Sequence, residues 1–92
     1  MNLTEWRVEY SERAKRALSK LDKPIRDRVR AFIRGLPNSP NPRSRGERLS
    51  GPLGAYWRYR VGNYRIICDI QDEVLIIEVI TLGHRSDVYK LL

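Results

Sequence analysis

The sequence predicts an α+β domain of two layers, a β-sheet that carries a helical hairpin on one face. Three observations lead there. Residues 56–70 read as a two-faced β-hairpin, residues 11–36 hold two successive apolar stripes at helical spacing, and 92 residues supply one hydrophobic core. Within the hairpin, Gly62-Asn63 separates two runs rich in Tyr, Trp, Val and Ile, and a glycine leading a two-residue loop suits a type II′ turn. The turn sets the register: Val61 opposes Tyr64, Arg60 opposes Arg65, Tyr59 opposes Ile66, and Arg58 opposes Ile67. Side chains alternate along a strand, so Trp57, Tyr59, Val61, Tyr64, Ile66, Cys68 and Ile70 share one apolar face. Arg58, Arg60 and Arg65 share the other.

The remaining elements follow in order. From Thr4 to Tyr10, Trp6, Val8 and Tyr10 alternate with Glu5, Arg7 and Glu9, the pattern of a half-buried first strand. Ser11 is placed to cap a helix with the stripe Ala14, Ala17, Leu18 and Leu21, ending near Leu21. Asp22 is placed to cap a second helix, with Pro24 in its first turn and the stripe Ile25, Val29, Phe32, Ile33 and Leu36. Its flanking Arg26, Arg28, Arg30 and Arg34 read first as a solvated face. Gly35 and Pro37 stop this helix, and residues 38–46 are so rich in breakers that a mobile loop is expected. Arg43, Arg45 and Arg48 make that region basic and suited to a phosphate backbone. Glu47 to Leu49 is expected as a short strand before Gly51-Pro52 turns the chain. Gln71-Asp72-Glu73 marks a tight turn, Val74 to Leu82 a strand covered on both faces, and Gly83 its break before a short tail.

Eighteen Lys and Arg stand against eleven Asp and Glu, a formal net charge of +7. Like charges paired across a sheet destabilise it, so Arg58, Arg60 and Arg65 form either a solvated face or a surface built for a polyanion. Aromatic residues interleaved with arginines in a basic domain favour nucleic acid. Cys68 has no disulfide partner and falls on the apolar face, as a core thiol does. One His and one Cys make no recognisable zinc site. Neither a signal-like amino terminus nor a run near the roughly 20 apolar residues of a membrane span is present, so no membrane partner and a cytoplasmic address are expected.

The order of elements, Leu49-x-Gly51, the run Trp57-Arg58-Tyr59-Arg60-Val61-Gly62-Asn63-Tyr64-Arg65-Ile66-Ile67, and Gly83-His84-Arg85-x-x-x-Val88-Tyr89 resemble the RelE/ParE toxin superfamily of toxin–antitoxin modules. The resemblance spans nearly the whole chain as a single domain, 1–92. It implies the topology β-α-α-β-β-β-β, a mainly antiparallel twisted sheet in the order 1-5-4-3-2, the helical hairpin on one face, and a basic cleft on the other.

For function, the resemblance implies a type II toxin. RelE-like members cut messenger RNA in the ribosomal A site without a metal or other cofactor, by attack of a 2′-hydroxyl on the adjacent phosphorus to give a 2′,3′-cyclic phosphate. ParE-like members share the fold and inhibit DNA gyrase, and a binding module without turnover is a third reading. By resemblance, Arg65 grips the phosphate, Arg85 stands near the leaving group, Tyr89 stacks on a base, and Arg58 falls where some relatives carry a catalytic lysine. Tyr56 departs from the pattern, where another lysine is expected. Glu47 resembles the glutamate base of YoeB-like relatives, or simply pairs with Arg45, Arg48 or Arg58. His84 is the other candidate acid or base, or closes a turn. Arg60, Arg45 and Arg48 are expected as further phosphate contacts. The implied partners are the messenger, the ribosomal A site and a cognate antitoxin whose acidic segment wraps the toxin, with operator DNA reached only through their complex.

Overall fold

The structure, a computed structural model, describes residues 5–91; Thr4 of the expected first strand lies outside them. The chain runs β1 (Arg7–Tyr10), α1 (Glu12–Ser19), α2 (Lys23–Gly35), β2 (Glu47–Arg48), β3 (Trp57–Val61), β4 (Tyr64–Gln71) and β5 (Ile76–His84), with short 3-10 turns at Leu36–Asn38, Pro42–Ser44, Gly51–Leu53 and Val88–Leu91. Five strands form one sheet in the order β1-β5-β4-β3-β2. β1 runs parallel to β5 and every other pairing is antiparallel. The expected fold class and strand order are those observed.

Ser11 ties the layers together. Its Oγ accepts the Ala14 N–H at 3.0 Å as a helix cap and donates to the Ile80 carbonyl at 2.6 Å, so one side chain starts α1 and fixes it to β5. Asp22 stands at the N-cap of α2, but its carboxylate accepts no capping hydrogen bond. Ala14, Leu18, Val29 and Ile33 point from the helices onto Tyr59, Ile66, Cys68, Ile77, Val79 and Leu82 of the sheet, the main core. Burial pushes the Cys68 thiol and the Tyr59 phenol far above their ordinary pKa values, as inert core groups require.

The β3–β4 hairpin has the expected register throughout. Gly62 adopts φ +56°, while Asn63 is not left-handed, in keeping with a type II′ turn. β1 starts at Arg7 and β2 ends at Arg48, each shorter than expected, and three boundaries around β4 and β5 also differ. The next turn is Asp72–Leu75 rather than three residues, because Gln71 still pairs with Ile76, and Leu75 closes it at φ +55°. Val74 is consequently 56% exposed rather than part of β5. Gly83 does not break β5, since Arg65 and Tyr64 of β4 continue the ladder opposite Gly83 and His84.

The expected mobile loop is held by defined contacts. Tyr59 donates its hydroxyl to the Pro42 carbonyl, and the Trp57 indole N–H donates to the Arg45 carbonyl at 2.8 Å. Arg43 forms a bidentate pair with Asp72, both bonds 2.8 Å. Gly46 sits where nothing larger fits. At φ +81°, a Cβ there would meet Trp57 Nε1 at 2.7 Å and Tyr59 Cδ1 at 2.9 Å, and the Arg58 carbonyl closer still.

Candidate active site

The face of the sheet away from the helices is built on a second, smaller core. Leu49, Ile67 and Val88 are buried together, with Leu53 and Tyr56 packed against them. Tyr56, standing where the resemblance expects a lysine, therefore packs rather than presenting a charge. Val88 anchors the C-terminal 3-10 turn, which sets the next residue, Tyr89, on the rim with 38% of its surface exposed.

Beside this platform Glu47, Arg58, Arg60 and Tyr89 are joined. Glu47 and Arg58 are cross-strand partners of β2 and β3, and Glu47 Oε1 takes Arg58 Nη2 at 2.5 Å and Arg60 Nη2 at 2.8 Å. Arg58 Nη1 donates to the Tyr89 hydroxyl at 2.6 Å. Arg58 is the enclosed member, its side chain 20% exposed and its Nε buried without a partner among the described residues. The hydrogen bond from Arg58 holds the Glu47 carboxyl below the usual carboxylate range, helped by the charge of both arginines. Glu47, Arg58 and Tyr89, with Arg48, Leu49, Ser50 and Leu53, line a pocket of 410 Å³.

Arg65 lies on the same face at the hairpin end, and Arg85 stands beside the turn there. Arg65 is directly opposite Arg60, and its Nη1 donates to the Gly62 and Tyr64 carbonyls, each at 3.0 Å. Arg85 stands two residues after Gly83, the partner of Arg65, and its backbone N–H donates to the Asn63 carbonyl at 2.8 Å. Its side chain is exposed and forms no ion pair among the described residues. The guanidinium groups of Arg58, Arg60 and Arg65 thus share one face, with the backbone of Arg85 fixed beside the hairpin turn.

Two expected residues stand elsewhere. His84 is paired with Tyr64, so strand alternation turns it to the helical side, where its ring meets Tyr64 edge-on at 5.6 Å and Nδ1 pairs with Ser86 Oγ at 2.8 Å. It is not among the arginines, because Gly83 continues the strand instead of breaking it. Arg45 stacks over Phe32 of α2, 4.7 Å from the ring centroid. It lines a neighbouring pocket of 330 Å³ that shares Glu47 and Arg60 with the cluster.

An acidic row also escaped the sequence reading. Glu9 pairs with Glu78 across β1 and β5, and Glu78 with Asp69 across β5 and β4, all facing away from the helices. Gln71 Nε2 bridges Asp69 at 3.1 Å and Glu78 at 3.3 Å. The signal lay in parity: Asp69 and Glu78 each sit between core residues of known face. Gly46 was missed for another reason, since its close approach is to residues distant in sequence.

A five-stranded sheet with one apolar face under two helices and one arginine-rich face beside a C-terminal tyrosine defines a small, basic α+β domain of two layers. A family profile, "ParE toxin of type II toxin-antitoxin system, parDE", matches residues 8–89. The chain belongs to that family, within the RelE/ParE superfamily. An Escherichia coli protein described as a RelE-like toxin is 32% identical over 89 residues, covering 94% of this chain and 92% of its own. Among solved structures, the toxin–antitoxin complex RelBE2 of Mycobacterium tuberculosis aligns with TM-score 0.73 and 26% identity over 94% of this chain and 98% of that one. The archaeal RelE–RelB complex of Pyrococcus horikoshii aligns with TM-score 0.72 and 28% identity over 89% and 97%. Among the described residues, no helix is long and apolar enough to cross a membrane.

Proposed function

We propose that this toxin is a metal-independent endoribonuclease that cuts messenger RNA in the ribosomal A site and is restrained by a cognate antitoxin. The joined Glu47–Arg58–Arg60–Tyr89 cluster, with Arg65 on the same face and Arg85 beside the hairpin turn, carries the reading. The reaction asks a protein to orient a 2′-hydroxyl, stabilise a phosphorane, and hold a base out of the stack. A scissile phosphate arriving at Arg58 and Arg60 offers them several acceptor oxygens in place of the single Glu47 oxygen they now share. Drawn off by the phosphate, they release the carboxylate, whose proton affinity then rises towards its ordinary value. Glu47 takes the 2′-hydroxyl proton as the P–O2′ bond forms. The P–O5′ bond breaks and the 5′ oxygen gains a proton from solvent beside Arg85, leaving a 2′,3′-cyclic phosphate and a free 5′-hydroxyl. Arg65 binds the phosphate, Tyr89 stacks on the base, and Arg48 and Arg45 extend the positive rim. An arginine holds its proton at neutral pH, so the base in this scheme is Glu47.

The partner is a cognate antitoxin, in keeping with the relatives solved as toxin–antitoxin complexes, and the net charge of +7 suits an acidic segment of that partner on the basic face. Operator DNA is reached through that complex, and the site of action is the cytoplasm. Incubation with programmed ribosomes, followed by mapping of messenger ends, tests the nuclease: A-site cuts bearing cyclic phosphates are expected, and intact codons at saturating toxin overturn it. The ParE description of the matching family favours one second reading, a gyrase inhibitor. That reading expects blocked supercoiling with translation untouched.

A further inference from the structure

At the tip of the β3–β4 hairpin the guanidinium groups of Arg65 and Arg28 come to one turn from opposite layers, and the backbone of a third arginine, Arg85, is bound to the same turn. Arg65 Nη1 caps the Gly62 and Tyr64 carbonyls. Arg85 is fixed beside the same turn by its N–H on the Asn63 carbonyl. From the other layer, Arg28 of α2 reaches over Gly62: its Nη2 and Nη1 stand 3.5 and 3.7 Å from where a Cβ on that glycine would be. None of the three forms an ion pair among the described residues, although Glu12, Asp27, Glu47, Asp72 and Asp87 each pair with another cation. Basic groups gathered around one turn without acidic partners repel one another, and an anion spanning them relieves the repulsion.

We propose that the hairpin tip is a saddle for the phosphate backbone, over which an RNA strand leaving the cleft passes from Arg65 and Arg85 to Arg28 on the helical side. Arg28 is a binding residue in this scheme and touches no reacting atom. The proposal rests on the RNA reading above and deepens it, because the protein's footprint then exceeds the nucleotides at the scissile bond. A single strand fits the place better than a folded acidic partner. The tip is narrow and presents guanidinium groups around a two-residue turn, Gly62-Asn63, whose side chains add no apolar pocket.

Binding of a fully 2′-O-methylated single strand, which lacks the attacking hydroxyl, is measured by fluorescence anisotropy across a salt series, beside a trinucleotide of the same chemistry. Arg28→Ala is expected to weaken the long strand several-fold, to reduce the slope of log K against log salt by about 0.7, and to leave the trinucleotide unchanged. Arg28→Lys, which keeps the charge, is expected to recover most of the slope. Arg34→Ala, on α2 but lining the groove beside Val8 and Tyr10, is expected to retain the wild-type slope. A wild-type slope for Arg28→Ala, an equal loss with Arg34→Ala or with the trinucleotide, or no binding by the wild type overturns the saddle. Unfolding curves confirm that the variants fold, and Arg28→Gln replaces the alanine variant if it does not. Cleavage is read separately on ribosomes: no cuts with the slope change intact removes the nuclease reading and keeps the saddle.

Discussion

Replacing Gly46 by alanine is expected to cost far more than replacing Gly35, and the structure gives both signs. At Gly46 two penalties add. The left-handed backbone, φ +81°, costs a residue with a Cβ about 1–2 kcal/mol. The new methyl also meets the Trp57 indole, the Tyr59 ring and the Arg58 carbonyl of one strand; backbone cannot swing aside, and overpacking of this kind costs about 1–3 kcal/mol. A total near 3 kcal/mol is a large share of the roughly 5–15 kcal/mol that stabilises a small domain. With a urea m-value of about 1.5 kcal/mol/M, the midpoint falls by about 2 M at unchanged m. Gly35 ends α2 with ordinary helical backbone and nothing within 4 Å of a Cβ, so alanine there is expected to stabilise by about 0.5–1 kcal/mol. Equilibrium urea unfolding of both variants checks the pair. A Gly46→Ala variant within about 0.5 kcal/mol of wild type refutes the packing argument.

Under the nuclease reading, Glu47→Gln is expected to separate binding from turnover: single-turnover cleavage falls about 10²–10⁴-fold, while RNA binds more tightly because a competing carboxylate charge is gone. The same substitution is expected to show a pH signature in unfolding experiments. The folded carboxyl is depressed by Arg58, so its contribution is complete above the ordinary carboxylate range and disappears as pH falls through the lower folded value, where variant and wild type converge. Cys68, fully buried with its thiol pKa pushed up, is expected to react with a thiol reagent only at the rate of opening, in step with denaturant. Glu78→Gln removes repulsion from both Glu9 and Asp69 and is expected to stabilise the domain by a few tenths to about 1 kcal/mol in a urea titration.

The hairpin was legible because its information is local. A glycine-led two-residue turn fixes register, and register fixes faces, so the separation of Tyr59 and Ile66 from Arg58 and Arg65 followed from the sequence and stands in the structure. The helices were legible through their stripes and Ser11, although the second role of Ser11, its bond to Ile80, depends on β5 lying alongside. What failed was non-local. Gly83 reads as a breaker, yet β4 is long enough to pair past it, and that extension turns His84 to the helical side. The breaker-rich loop reads as mobile because breakers report only what the local backbone prefers. Its order comes from Tyr59, Trp57 and Asp72, which are 12–29 residues away along the chain.

The same distinction governs charge. Local spacing shows that Arg60 and Arg65 share a face, but only strand order shows that the acids are gathered elsewhere on it. Glu9, Glu78 and Asp69 run across β1, β5 and β4, while Arg58, Arg60 and Arg65 occupy β3 and β4. Interleaving the two sets would turn repulsive neighbours into attractive ones, so stability alone does not account for their separation. Glu47 is the exception that completes the pattern. It is placed by β2 against Arg58 and Arg60, and it neutralises the cluster through one half-enclosed bond to Arg58 and one exposed bond to Arg60. Across the rest of the face three acids lie towards the β1 side, with Arg7 of β1 among them, and three arginines towards the β3 side. Under the nuclease reading, a polyanion approaching this sheet is expected to be steered towards the arginines of β3 and β4, with an on-rate that falls as salt rises.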